Sequence, residues 1–322
     1  MTTTPDHDCT RHGSVSLLDR RTVLRGAVLT VLAAYIDGAI ASADAVDTCR
    51  KKLRLIEESA AGRLGAYIFD TRSNTGCGWR EGERFAHCSS FKMSLAAMVL
   101  RMADRGEVDP REQLRWRSED ILPVSPVTAA NTDRGLSVEE LARATLVTSD
   151  NTAANVLLRR LGGPAALTAF WRSLGDDVSQ LDRYEPELNE TPPGTTLDTT
   201  TPEAMARTTA VLTHGTALSP ASREKLRAWM TEVRTGLQRI RAGFPGEWIA
   251  GDKTGTGIGK TKHTYVDVAF GGPAGREPLI VSAYFEPARL VEPMDPLSLR
   301  VLAQVGEVAA SVAAASRRQR RA

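Results

Sequence analysis

Net charge, cysteine and long apolar runs are all scarce in this chain, and each scarcity closes off a class of function. Lys and Arg number 41 against 39 Asp and Glu, a formal charge of +2. Four of the cations, Arg317, Arg318, Arg320 and Arg321, sit in the last six residues, so the rest of the chain is close to neutral. A nucleic-acid binder would need a strong basic stripe, and none is expected here. Cysteine occurs four times, at Cys9, Cys49, Cys77 and Cys88. That is no disulfide framework for a chain of this length, and free thiols are the expectation. The five His are scattered. With no His/Cys/Asp cluster at ligand spacing, neither a metal nor another cofactor is expected. The one apolar run near the N-terminus, Gly26 to Ile40, is broken by Asp37 and Gly38 and is too short to span a bilayer comfortably, so no stable membrane insertion is expected.

What is present is ample for a core, with 42% hydrophobic residues in 322, enough for one large domain or two smaller ones. Residues 1–43 read as an export signal. Asp19-Arg20-Arg21-Thr22-Val23-Leu24-Arg25 resembles a twin-arginine motif, the apolar run follows, and Ala41-Ser42-Ala43 offers a small-x-small cleavage site. Val46-Asp47-Thr48 before Cys49 is not a lipoprotein processing site, so a soluble, exported protein, periplasmic or extracellular, is expected. Residues 317–322 form a basic tail.

Val46 to Ala61 reads as a helix. Arg63–Asp70 and Gly78–Phe85 read as strands joined by the turn-rich Arg72-Ser73-Asn74-Thr75-Gly76. From Ser89 the period changes: Leu95, Met98, Val99 and Met102 fall at i, i+3, i+4, i+7, a helix with one buried face that Gly106 would stop. Ser137-Val138-Glu139-Glu140 is a capping-box start. Another helix spans about Thr152 to Arg160 and ends at Gly162-Gly163. Gln180 to Thr201 is polar, Pro-containing and without period, a long loop of the kind that is usually functional. Helical pattern then resumes to about Glu232. Strands follow near Trp248–Thr256, Thr264–Phe270 and Leu279–Phe285, and a last helix covers roughly Pro296–Ala314. Strands at both ends and helices between them predict a discontinuous α/β domain (44–86 and 233–316) with an all-α domain (87–232) inserted in it. A cleft between the two would suit a small molecule.

Four short polar motifs fall in that frame. In Ser89-Ser90-Phe91-Lys92 the serine opens a helix and the lysine follows one turn later on the same face, within reach of the hydroxyl. The helix start supplies free N–H groups where an oxyanion would form. Ser149-Asp150-Asn151 lies between two helices and could equally be only a cap. Lys253-Thr254-Gly255-Thr256 sits on a strand whose glycine lets a ligand lie along its edge. Glu185-Pro186-Glu187-Leu188-Asn189 lies in the long loop, and its Glu185 and Asn189 could share one water. Each motif alone is cheap; Ser222-Arg223-Glu224-Lys225 also fits Ser-x-x-Lys.

The ordered set resembles the class A serine β-lactamases over nearly the whole mature chain. The resemblance implies a sandwich-like α/β fold, a five-stranded antiparallel sheet flanked by helices, beside the all-α domain with an omega loop at about 180–198. It also implies a monomer that hydrolyses β-lactams through an acyl-enzyme. Ser89 would be the nucleophile, Lys92 or Glu185 the base that takes its proton, Ser149 the proton relay to the leaving nitrogen, and Glu185 the base for the deacylating water. Asn151, Asn189, Lys253, Thr254 and Thr256 would hold the substrate and the water. The backbone N–H groups of Ser89 and Thr256 would form the oxyanion hole, and Arg183 with Asp198 would pin the omega loop. Pro186 would follow a cis bond. Related penicillin-binding peptidases share three of the motifs but lack the glutamate loop, and a non-hydrolysing sensor would not need it.

Departures from the family pattern shape the expected specificity. Tyr265 stands where many relatives carry an arginine for the substrate carboxylate. Arg239 matches an alternative source of that guanidinium, with Arg241 a surface neighbour. Val124 replaces a rim aromatic. Cys88 lacks a partner cysteine at Gly257, which disfavours carbapenem hydrolysis, and the Thr256 hydroxyl favours cephalosporins.

Overall fold

The structure, a computed structural model, describes residues 44–192 and 194–318. The export signal and the last residues of the basic tail lie outside the described residues. From Ala45 onward the chain belongs to one compact unit.

Helix α1 (residues 44–60) leads into strand β1 (Gly62–Asp70), which turns back into β2 (Thr75–Trp79). Asp70 Oδ1 accepts the Arg72 backbone N–H at 2.9 Å across this turn. The strand expected over Gly78–Phe85 is corrected. Arg80 takes a left-handed φ of +48° and turns the chain, and only Phe85–Ala86 resumes as β3. Helix α2 (Phe91–Asp104) follows, then β4 (Gln113–Leu114), α3 (Pro126–Ala129), β5 (Leu136–Ser137) and α4 (Val138–Val147). The capping box predicted at Ser137 and Glu140 is present in both directions, at 3.2 and 2.8 Å. Helix α5 (Asn151–Arg160) ends at the paired glycines, and α6 (Pro164–Ser173) comes next. Sequence reading passed over α6, although Pro164 at its first position and Leu167, Phe170 and Trp171 on one face are its signal. The long loop then reaches β6 (Thr199–Thr200), which pairs with β3. Helices α7 (Pro202–Thr213) and α8 (Pro220–Glu232) precede β7 (Trp248–Ile258), β8 (His263–Pro273), β9 (Leu279–Pro287) and α9 (Pro296–Arg318).

The sheet runs β2-β1-β9-β8-β7, antiparallel throughout. Side chains alternate across it, so each strand serves two cores. Leu64, Ile68, Tyr265, Val281 and Phe285 face α1 and α9, where Leu53, Leu302 and Val305 meet them. Tyr67, Phe69, Val268, Phe270 and Tyr284 face the helical side. There α7 and α8 lie against the sheet, although they fall in the stretch read as all-helical. Helix α2 also departs from expectation. Every residue from Phe91 to Leu100 is buried, so it is a central helix and not one with a single buried face.

Cysteine is the clearest correction. Cys49 on α1 and Cys77 on β2 form a disulfide, their Cα atoms 6.3 Å apart, and only Cys88 is a free thiol among the described residues. The pairing joins elements 28 residues apart that only the packing of α1 on the sheet brings together. Burial pushes the Cys88 thiol up to about 12, so it behaves as a small apolar side chain.

Candidate active site

The motifs separated along the chain converge where α2, the α4–α5 connection, the long loop and β7 meet. Ser89 lies in a single 3-10 turn, Cys88–Ser90, just ahead of α2. Strand β7 passes so close that a Cβ on Gly255 would stand 2.9 Å from the Ser89 backbone nitrogen. Glycine at that position keeps the Ser89 N–H open toward the strand edge. Cys88 (φ +44°), Val124 (φ +58°) and Ser149 (φ +58°) all hold left-handed backbone around this point. Such strain in residues other than glycine gathers where geometry is over-determined by its surroundings.

Lys92 is fully buried, and its Nζ has more acceptors than hydrogens. It lies 3.0 Å from Ser89 Oγ, 2.9 Å from Ser149 O and 2.9 Å from Glu185 Oε1, and it also donates to Asn151 Oδ1. Ser89 Oγ is 3.4 Å from the same Glu185 oxygen. A buried ammonium–carboxylate pair is costly unless its remaining hydrogen bonds are met, and here they are. Glu185 Oε2 accepts from Asn189 Nδ2 at 2.6 Å. Asn189 Oδ1 is buried with no protein partner, an acceptor left free beside the carboxylate.

Ser149 faces two lysines. Its carbonyl takes Lys92, and its hydroxyl takes Lys253 Nζ at 3.1 Å. Burial, with Lys92 nearby, pushes the Lys253 amine down to about 7. Asp150 is a cap and a brace together. Oδ1 accepts the Ala153 N–H at 2.8 Å at the start of α5, and Oδ2 accepts the N–H groups of Val127 and Thr128 at 3.0 and 2.9 Å. Asn151 Nδ2 donates to Pro123 O at 2.8 Å. Thr254 Oγ1 lies 2.6 Å from Thr235 Oγ1.

The long loop is held at both ends. Arg183 Nε donates to Asp198 Oδ2 at 2.6 Å, and Asp198 Oδ1 accepts the backbone N–H groups of Asp182 and Arg183. The Glu185–Pro186 peptide is cis. Asn155, which sequence reading missed, grips Glu185 from α5: Nδ2 donates to Glu185 O at 2.8 Å and Oδ1 accepts the Glu185 N–H at 3.0 Å. An amide aimed from a neighbouring helix leaves no local pattern, so no sequence signal was available for it.

Arg239 is buried to 1% exposure behind β7. Its Nη1 donates to Gly255 O and Val266 O at 2.8 and 2.6 Å, and Nη2 donates to Thr256 Oγ1 at 2.6 Å. Arg241 is corrected: it is no free surface charge but pairs with buried Asp252 at 2.7 Å and donates to Val233 O. Tyr265 is fully buried, its ring in the core beneath α9. A Cβ at Gly257 would stand 2.8 Å from Cys88 Sγ. The second Ser-x-x-Lys is spent elsewhere, Ser222 on Asp104 and Lys225 on Glu139.

A sheet with a helical half against one face, and a half-buried serine set against a buried Lys–Glu pair at their junction, describe a serine hydrolase. Residues 48–312 match the β-lactamase enzyme family. The chain is 42% identical to β-lactamase CTX-M-8 of Citrobacter amalonaticus, over 73% of this chain and 80% of that one. It is 42% identical to a β-lactamase of Streptomyces fradiae, over 82% and 88%. Among solved structures it resembles an ancestral class A β-lactamase at 45% identity with a TM-score of 0.77, covering 82% of this chain and 99% of that one. The chain belongs to the class A serine β-lactamases and is a β-lactam hydrolase.

Proposed function

We propose that the enzyme opens penicillins and cephalosporins through an acyl-Ser89 intermediate and releases the product with a water activated by Glu185. The observation that carries this is the pairing of Glu185 with Asn189: a carboxylate beside a buried amide oxygen that no protein group satisfies. A water held there would be deprotonated by Glu185 and attack the acyl carbonyl. Upstream, Ser89 Oγ attacks the lactam carbonyl while its proton passes to Glu185 directly, or to Lys92 once that ammonium has handed a proton to the Glu185 carboxylate 2.9 Å away. The N–H groups of Ser89 and Thr256 stabilise the oxyanion. Ser149, bridging the two lysines, delivers a proton to the leaving nitrogen.

Lys253, Thr254, Thr256 and Arg239 receive the substrate carboxylate, and Asn151 the side-chain amide. Thr256 Oγ1 already accepts from Arg239, so its own hydrogen is free to donate. Replacing it, Thr256→Ala, should lower cephalosporin kcat/KM more than penicillin kcat/KM; an unchanged cephalosporin value would remove Thr256 from this role. The enzyme acts as a monomer outside the cytoplasm. By length and composition the Pro296–Ala315 stretch of α9 could cross a membrane, but it packs on the sheet as a core helix.

Counting benzylpenicillin molecules hydrolysed per enzyme tests the reading. The wild type should turn over hundreds of times, and Glu185→Gln should consume about one penicillin per enzyme and retain it as an acyl adduct on Ser89. Sustained turnover by Glu185→Gln would assign deacylation elsewhere. A single turnover by the wild type would make the protein a penicillin-binding sensor.

A further inference from the structure

The β9–α9 connection, residues 288–295, crosses directly over Arg239, and its contacts there are unlike those of the rest of the site. Nη1 of Arg239 is spent on two backbone carbonyls and Nη2 gives one hydrogen to Thr256 Oγ1. Among the described residues the only other partner of Nη2 is a thioether: Met294 Sδ, 3.8 Å away. Sulfur of this kind is a weak acceptor, whereas a carboxylate makes a short, charge-assisted bond to a guanidinium. Met294 therefore holds the second Nη2 hydrogen with a weak acceptor, one that an incoming carboxylate would displace; the Arg239 Nε–H, buried without a protein partner, is the other hydrogen left to such a ligand.

Met294 is built to move. It is 47% exposed while the arginine it covers is 1% exposed. Its three rotatable bonds let the sulfur leave without disturbing the core. Its backbone sits at φ +63°, a left-handed conformation unfavourable for a side chain of this kind. Something must hold it there, and Tyr265 does. Its buried hydroxyl donates to Glu292 O at 3.2 Å and accepts the Asp295 N–H at 3.4 Å. Asp295 in turn caps α9 through the Ser298 N–H and hydroxyl. The tyrosine found where many relatives carry an arginine thus anchors the strap that screens this chain's own arginine.

We propose that Met294, positioned by Tyr265, is a lid over Arg239: its thioether holds the Nη2 hydrogen in the free enzyme and swings aside when a carboxylate-bearing substrate arrives. The lid sets how readily the guanidinium is reached and so tunes KM. The inference rests on Arg239 serving as a carboxylate receptor.

The test compares Met294→Ala, Met294→Leu, Tyr265→Phe and Arg239→Lys in the full enzyme. Benzylpenicillin kinetics are one readout, and the rate of phenylglyoxal modification at Arg239, followed by mass spectrometry, is the other. Met294→Ala should lower KM by about threefold to tenfold and expose Arg239 to phenylglyoxal, because the weak acceptor and its bulk are both gone. Met294→Leu keeps the cover without the sulfur, so Arg239 should stay unreactive. Tyr265→Phe, which loosens the strap, should raise phenylglyoxal reactivity and move KM in the direction of Met294→Ala; a purely structural tyrosine would lower the melting temperature alone. Unchanged KM and unchanged reactivity in Met294→Ala, alongside a raised KM in Arg239→Lys, would overturn the lid while leaving the receptor intact. An unchanged KM in Arg239→Lys would remove the receptor, and the lid with it.

Discussion

Lys253 is a single buried side chain that should shape the pH profile of the enzyme. Its amine has no solvent contact, shares Ser149 with Lys92, and is pushed down to about 7 chiefly by burial. Only the protonated form attracts a substrate carboxylate. Below that pH the free enzyme presents a cation; above it the amine is neutral and the attraction fades. The profile of kcat/KM, which reports the free enzyme, should therefore fall on the alkaline side with an apparent pKa near 7. A bound carboxylate favours the ammonium, so the same limb in kcat should lie at higher pH. Identical alkaline limbs in the two profiles would show that Lys253 does not titrate in this range. Ser89, Lys92, Ser149, Glu185 and Lys253 were all legible, because each sits in a short motif whose spacing has a chemical reason. Asn155 and Met294 were not, because each acts on a residue far away in sequence.

Among the elements, α1 depends most on a bond the sequence did not disclose. The Cys49–Cys77 disulfide ties it to the edge strand β2, remote from the Ser89 cluster. Closing a loop of this size is worth about 2–4 kcal/mol. The Cys49→Ser, Cys77→Ser double variant should therefore melt roughly 5 to 10 °C lower while keeping its kcat at 25 °C. Thermal unfolding followed by circular dichroism, beside a penicillin assay, checks this; equal melting temperatures would make the bond dispensable. The other elements were largely readable from local chemistry. The capping box at Ser137 starts α4 as expected, and Gly106, just past the end of α2, takes a φ of +70°. The misjudged strand end at Trp79 has a local cause, since Arg80 adopts the left-handed turn conformation that an arginine rarely announces.

Across the molecule, the helical side and the sheet share one core, and a buried histidine within it should make the fold sensitive to acid. His87 is fully buried, stacked on Trp171 with ring centroids 4.8 Å apart, and burial pushes it down to about 3. An unfolded chain protonates this ring near its ordinary value of 6.5, while the folded one does so only near 3. Between those limits the unfolded state holds the extra proton, so stability declines as pH falls, by about 1.4 kcal/mol per pH unit at most from this group. His87→Phe keeps the stacking and removes the titration. Its denaturant midpoint should vary less with pH between 6.5 and 4 than the wild-type midpoint, and parallel curves would exclude His87 as a source of acid sensitivity. By itself the sequence determined the family, the candidate site residues and most of the strands and helices, because motif spacing and period are local properties of the chain. Tertiary structure alone decided the partners. It paired Cys49 with Cys77, set Asn155 on Glu185, buried Arg241 on Asp252 and laid Met294 over Arg239. Each of those contacts joins segments whose distance in sequence says nothing about their distance in space.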